Sequence, residues 1–338
     1  MLFDLLIFLA GLAVLYLGAE WLVKGAALLA LQYGIRPIVV GLTVVALGTS
    51  MPEFILNFIA AFSGEDSLAL GNIVGSNICN IALILGTSAV VLPLAVKPGT
   101  LRKEYPIMMA VMVLFYVLAL DGLISQTDGV ILVAGLLAFM AFVVIDSRRQ
   151  TRLEEEAAAN APAPPAAQGA ATESAGGGRD AQEAPAELPR WKKIGLLAGG
   201  MAFLGGGAQL MVYAAVNVAE SLGIDPIIVG LTVLAIGTSL PELAASVVSA
   251  MKQEADLSLG NVLGSNLLNV LFVVGMLSLF RPLAVDSESI AIHFPVMLAF
   301  AAILLPVAWT GYQISRVEGG VLLAGFTGYL VYLVLPYM

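Results

Sequence analysis

Two glutamates, Glu53 and Glu242, stand in stretches otherwise made of apolar and small residues. Each follows a proline (Pro52, Pro241) and lies four residues after a threonine (Thr49, Thr238), with a serine between (Ser50, Ser239). Residues four apart share a helix face, so each stretch gathers a carboxylate and a threonine hydroxyl, with the serine beside them. The proline removes a backbone donor and clashes with the carbonyl one turn earlier, at Gly48 or Gly237. A kink or break is expected there, turning carbonyl oxygens toward a cavity. Hydroxyls, bare carbonyls and carboxylates are hard oxygen donors, and the chemistry they suit is coordination of Na⁺ or Ca²⁺.

The two stretches are one motif written twice. Residues 41–96 begin GLTVVALGTSMPE and continue to GNIVGSNICNI and LPLAV; residues 230–285 begin GLTVLAIGTSLPE and continue to GNVLGSNLLNV and RPLAV. Without a gap, 25 of the 56 pairs are identical, mostly Gly, Thr, Ser, Pro, Asn and Glu. Apolar composition alone would match Leu with Leu, so the offset of 189 is an internal duplication.

Composition sets the environment. Hydrophobic residues make up 59% of the 338 and charged ones 12%, with a mean hydropathy of +0.96; soluble domains carry about 25% charged residues. The chain reads as an all-α polytopic membrane protein. A charge at membrane depth costs on the order of 3 kcal/mol, so an intramembrane glutamate is expected to face the interior and to work. The single cysteine, Cys79, excludes an intrachain disulfide and a zinc cluster. No nucleic-acid patch is visible, and no obligate protein partner is evident. The first apolar run lacks a basic leader and is too long for a signal-peptide core, so it reads as a retained span.

At about 20 residues per span, ten spans are expected, near 2–31, 38–62, 68–94, 105–121, 128–146, 192–219, 226–250, 257–280, 288–308 and 315–336. Residues 147–190, rich in Ala, Pro, Gly and Glu, read as a disordered or partly helical tether. The chain thus divides into a five-helix repeat over 1–146, a linker, and a second repeat over 191–338. Alternating the span ends places 13 of the 15 basic residues on one side, among them Arg36, Lys97, Lys103 and Lys252, with Arg281 on the other. The positive-inside rule makes the first side cytoplasmic and both termini extracytoplasmic. Five spans is an odd number, so the second repeat is inverted; Arg36 and Lys97 become Asp225 and Asp286 at the equivalent positions. Inverted repeats with broken helices meeting at mid-membrane are the architecture of secondary transporters.

GLTxxAxGTSxPE followed by GNxxGSNxxN, in both halves, resembles the repeats of the cation/Ca²⁺ exchanger superfamily, and of prokaryotic sodium/calcium exchangers within it. The resemblance implies four central cation subsites in the plasma (inner) membrane. It makes Glu53 and Glu242 the shared carboxylates that bind Ca²⁺ and Na⁺ alternately. Thr49 and Thr238 flank them with the carbonyls of Ala46 and Ala235. Ser50, Ser239, Ser76, Ser265 and Asn80 complete the set. Asn269 stands where archaeal exchangers of this kind are acidic, which leaves two carboxylates, enough to neutralise one Ca²⁺. The implied function is Ca²⁺/Na⁺ antiport by alternating access, with no cofactor beyond the transported ions and no enzymatic activity. The first and sixth spans, glycine-rich at Gly18, Gly205, Gly206 and Gly207, form the implied sliding pair.

Other residues read as structural. Gly71, Gly75, Gly260 and Gly264 suit close helix packing and equally a role in bringing the serines near the ions. Asn72, Asn77, Asn261 and Asn266 suit hydrogen bonds between helices. Glu20 and Lys24, four apart, are expected to neutralise each other. His293 has no partner in sequence, and Cys79 reads as a small packing residue. The acidic run at 154–156 lacks the spaced ligands of a Ca²⁺ loop. Two other classes stay open: H⁺-coupled antiport of Ca²⁺ or another divalent cation, for which the hydroxyls would be superfluous, and a channel or permease with flux but no counter-ion. No Walker motif suggests ATP coupling.

Overall fold

The computed structural model describes residues 2–159, 189–222 and 235–335. Most of the expected tether, the start of the seventh span with Asp225, and residues 336–338 lie outside the described residues. The helices are α1 (Leu2–Tyr33), α2 (Pro37–Thr49), α3 (Met51–Phe62), α4 (Asp66–Val91), α5 (Pro98–Arg102), α6 (Glu104–Ala119) and α7 (Gln126–Ala159). They continue with α8 (Arg190–Ser221), α9 (Ala235–Thr238), α10 (Leu240–Met251), α11 (Ala255–Phe280), α12 (Ser289–Tyr312) and α13 (Arg316–Val334).

Seven of these are long and apolar enough to cross a bilayer, and α2 with α3, bent by 46° at their junction, makes an eighth. The expected fourth span is the 16-residue α6, and α10 has 12 residues; each falls short of the usual span of about 20. Helix α7 runs on to Ala159, past the expected start of the tether.

The repeat in sequence is a repeat in backbone. Ser50 (φ −82°, ψ 2°) interrupts the first motif, and Ser239 (φ −88°, ψ 4°) the second. Pro52 and Pro241 then stand in the first turn of the following helix, where a missing N–H costs nothing. The interruption therefore lies at the serine rather than at the expected glycine. Within α4 the backbone widens into a π-helical turn at Asn80–Leu85, and within α11 at Asn269–Val274.

Helices α4 and α11 form the centre, being 72% and 83% buried against 17–33% for the other long spans. They run antiparallel and are tied at both ends. Arg281 beyond α11 pairs with Asp66 at the start of α4 (3.4 Å), and Lys97 beyond α4 with Asp256 at the start of α11 (2.5 Å). Around them lies a continuous apolar cluster including Ile78, Met108, Phe115, Val270, Phe294 and Met297.

A second cluster stands apart: Leu15, Leu22 and Ala26 of α1 with Leu197, Leu204 and Met211 of α8, against Ala245 and Val248 of α10. Glycine sets how close α1 and α8 come. A Cβ on Gly18 would lie 2.6 Å from the Leu204 nitrogen, on Gly200 2.6 Å from that of Leu22, and on Gly207 2.5 Å from that of Leu15. No side chain fits at these three points. Among the described residues, Gly205 and Gly206 meet no such neighbour, so the contact runs along Gly11, Gly18, Gly200 and Gly207 rather than the expected 205–207 run.

Four two-residue strands refine the all-helical expectation. Leu94–Ala95 (β1) pairs antiparallel with Gln313–Ile314 (β4), and Leu123–Ile124 (β2) with Leu283–Ala284 (β3).

Candidate functional site

The serine break and the paired π turns converge on one buried polar centre. Glu53, at the start of α3, and Glu242, at the start of α10, are 2% and 1% exposed and lie within electrostatic reach of each other. Ser50 crosses between the halves: its hydroxyl donates to Glu242 Oε1 at 2.9 Å and contacts Ser265 Oγ at 3.1 Å. The equivalent Ser239 lies beside Glu53, but its hydroxyl closes no hydrogen bond. The Thr49 hydroxyl donates to Asn261 Oδ1 at 3.2 Å and to Ala46 O at 3.3 Å. Ala46 O also accepts the Ser50 N–H at 3.0 Å, so this carbonyl is engaged rather than bare. Thr238 is half-buried at the end of α9; Ala235 opens that helix, and its side chain lies outside the described residues.

Six of the twelve expected ligands present a buried oxygen with no hydrogen-bond partner: Glu53 Oε2, Ser76 Oγ, Asn80 Oδ1, Ser239 Oγ, Glu242 Oε2 and Asn269 Oδ1. Buried polar atoms are satisfied in the great majority of cases, and leaving one unmatched costs about 1–3 kcal/mol. Unmatched oxygens drawn from both motifs thus gather beside two carboxylates, a donor set that suits a hard cation. Among the described residues no group of three or more His, Cys, Asp or Glu assembles. The donor set is two carboxylates amid hydroxyls and amides, the pattern of a hard, labile cation rather than a resident transition metal.

Several residues read as structural take more definite places. Asn261 holds Thr49 and also donates to Ser246 Oγ at 2.9 Å, so it steadies an expected ligand. Asn72 donates to Asn57 Oδ1 at 3.0 Å, as a helix-bridging amide should. Asn266 departs from that expectation, since neither end of its amide finds a partner. Glu20 pairs with Lys252 at 3.1 Å rather than with Lys24, because the end of α10, capped by Lys252, packs beside α1. His293 does have a partner, Tyr329 OH at 3.0 Å from Nδ1. Gly260 and Gly264 bring α11 against the backbone of α2, where their Cβ atoms would come within 2.5 Å of Ile38 O and 2.7 Å of Leu42 Cα. Cys79 is buried, as a packing residue is. The π turns at Asn80 and Asn269 were not foreseen; such turns are rare and frequent at functional sites, but no residue pattern announces them.

The chain matches the sodium/calcium exchanger protein family over residues 3–145 and 192–335. It is 33% identical over 338 residues to the inner membrane protein YrbG of Escherichia coli, covering 97% of this chain and 95% of that one. It is 32% identical over 354 residues to the sodium/calcium exchanger MaX1 of Methanosarcina acetivorans, covering 98% of each. The structure superposes on that of the sodium-calcium exchanger NCX_Mj with a TM-score of 0.78 at 27% identity, covering 98% of both chains. A paired motif, a buried oxygen-lined centre and a match along nearly the whole length place this multi-pass membrane protein in the sodium/calcium exchanger family, whose members exchange cations rather than catalyse reactions.

Proposed function

We propose that the protein exchanges Ca²⁺ for Na⁺ across the plasma (inner) membrane by alternating access. The ions bind at Glu53, Glu242, Thr49, Thr238, Ser50, Ser239, Ser76, Ser265, Asn80 and Asn269, with the carbonyls of Ala46 and Ala235. The observation that carries this reading is the set of unmatched buried oxygens around two carboxylates, contributed by both motifs. An isolated charge in a dry interior is strongly disfavoured, so the site changes its access from one face to the other only when cations occupy it. That requirement couples the opposed fluxes.

The ten helical segments form two inverted repeats, 1–146 and 191–338, with the linker cytoplasmic and both termini extracytoplasmic. Two observations support this topology. Arg36, Lys103, Glu104 and Asp146 group at one end of the helices, with Arg36 Nη1 3.8 Å from Asp146 Oδ2, whereas Arg281 meets Asp66 at the other. The broken helices of the two motifs also share their backbone geometry at Ser50 and Ser239. The pair α1 and α8, with its own apolar cluster and a side-chain-free seam, is the element that slides.

The test is ⁴⁵Ca²⁺ uptake into proteoliposomes under imposed Na⁺, K⁺ or H⁺ gradients. Uptake driven by an outward Na⁺ gradient supports the reading. Uptake driven only by a H⁺ gradient would replace Na⁺ by protons as the coupling ion, and uptake indifferent to any counter-ion would make the protein a channel or permease.

A further inference from the structure

An asparagine can serve a cation only through one end of its amide. The two ends are close in shape but opposite in chemistry, since the oxygen accepts and the NH₂ group donates. A free Asn side chain can therefore turn a repelling N–H toward a cation as readily as a ligating oxygen. At Asn269 the choice is made by its surroundings. Asn269 Nδ2 donates to Asn77 Oδ1 at 3.2 Å, and Asn77 Nδ2 donates to Met297 Sδ at 3.6 Å. A thioether sulfur accepts and cannot donate, so Met297 must face the NH₂ end of Asn77. That turns the Asn77 oxygen to Asn269, which must answer with its own NH₂ group. The Asn269 oxygen is left pointing away from Asn77, buried and without a protein partner.

All three side chains are buried at 2% exposure or less, which removes competing water from the relay. The other half has the same residue types 189 positions away, Asn80, Asn266 and Met108. There the chain of bonds is not made: neither amide atom of Asn266 has a partner, and Asn80 Oδ1 is unmatched. The relay belongs to one side of the site.

We propose that Asn77 and Met297 are positioning residues that hold Asn269 as an oxygen donor toward the transported cation. The proposal rests on the reading of Asn269 as a ligand given above, and adds what makes a neutral amide serve as one. Neither Asn77 nor Met297 touches the ion. They act by removing the wrong orientation of the residue that does.

The test uses the full-length protein in proteoliposomes and measures equilibrium Ca²⁺ binding together with half-saturating Ca²⁺ and maximal exchange rate. Asn269→Ala should weaken Ca²⁺ binding. Asn77→Leu removes the acceptor and should weaken it about tenfold, the usual scale for residues that orient a metal ligand, while the rate at saturating Ca²⁺ is kept. The double variant Asn77→Leu/Asn269→Ala should bind no more weakly than Asn269→Ala alone. Should Asn77→Leu fail to fold, Met297→Leu carries the test, being close in volume, and should shift affinity in the same direction by a smaller factor. If Asn269→Ala weakens binding while Asn77→Leu and Met297→Leu bind as the parent does, the relay is wrong and the ligand reading stands. If Asn269→Ala itself binds Ca²⁺ like the parent, the ligand reading of Asn269 falls and the relay with it.

Discussion

The hydroxyl of Ser50 donates to the carboxylate of Glu242 at 2.9 Å, joining residues 192 positions apart in the chain. The equivalent Ser239 lies beside Glu53 without closing the same bond. Each carboxylate is thus approached by a hydroxyl from the opposite motif, and the two approaches are unequal. A duplicated sequence has folded into a site whose two halves differ in this one bond.

The first prediction concerns the two carboxylates. Glu53→Gln and Glu242→Gln keep the shape of the site and remove one charge each, so each variant should fold, remain monodisperse and lose Ca²⁺ exchange. Near-parental ⁴⁵Ca²⁺ uptake in either variant would remove that residue from the list of shared ligands.

The glycine seam gives the second. Gly200→Val places atoms where even a Cβ lies 2.6 Å from the Leu22 nitrogen, so α1 and α8 must separate. Overpacking of this kind costs about 1–3 kcal/mol. Equilibrium Ca²⁺ binding should survive while the exchange rate falls, because none of the proposed ligands lies on α1 or α8. An unchanged rate in a stable variant would show that this contact does not move during transport.

The third bears on the linker. Residues 155–187 contribute none of the expected ligands and little apolar surface. Replacing them with a short Gly/Ser tether should preserve exchange in liposomes. Loss of uptake by a correctly inserted, monodisperse variant would give the linker a part in transport or its control.

The fourth is a pH effect at the membrane surface. Burial alone would raise the Asp286 carboxyl, but Ser289 donates to it from its backbone N–H at 2.7 Å and its hydroxyl at 2.8 Å, and the net position is below the usual value. A lowered carboxyl stabilises the fold above its unfolded value of about 3.9, and that stability fades as pH falls through the folded value. Asp286→Ala should cost roughly 1 kcal/mol near neutrality, the usual worth of a helix cap. Asp286→Asn should lose less stability on acidification than the parent; parallel melting curves from pH 7 to about 3 for parent and Asn variant would refute this.

Much of this molecule was legible in the residues, for a physical reason. Polar side chains in an apolar segment are too costly to keep without use, so Glu53, Glu242, Ser76, Ser265 and Asn269 stood out and all proved buried. Their duplication also pointed to the broken helices. The exact place of the break did not follow, because the proline constrains the turn before it without choosing its residue, and Ser50 took the interruption. Glu20 was assigned to Lys24 because only local spacing can be read from a chain; the actual partner, Lys252, is brought by tertiary packing. The π turns at Asn80 and Asn269 are shifts in backbone register with no residue signature, and so is the orientation of an amide. Ten spans were expected, whereas among the described residues seven helices are long and apolar enough, or eight with the bent pair, because α6 is short and the seventh span begins outside the described residues.

The two small β pairings carry a consequence for assembly. Each joins a strand from before the linker to one from after it: Leu94–Ala95 with Gln313–Ile314, and Leu123–Ile124 with Leu283–Ala284. When the earlier stretch has left the ribosome and entered the bilayer, both of its strands still lack partners. The first can be satisfied only once the loop before α13 has been made, so each half of the chain depends on the other to close its backbone bonds.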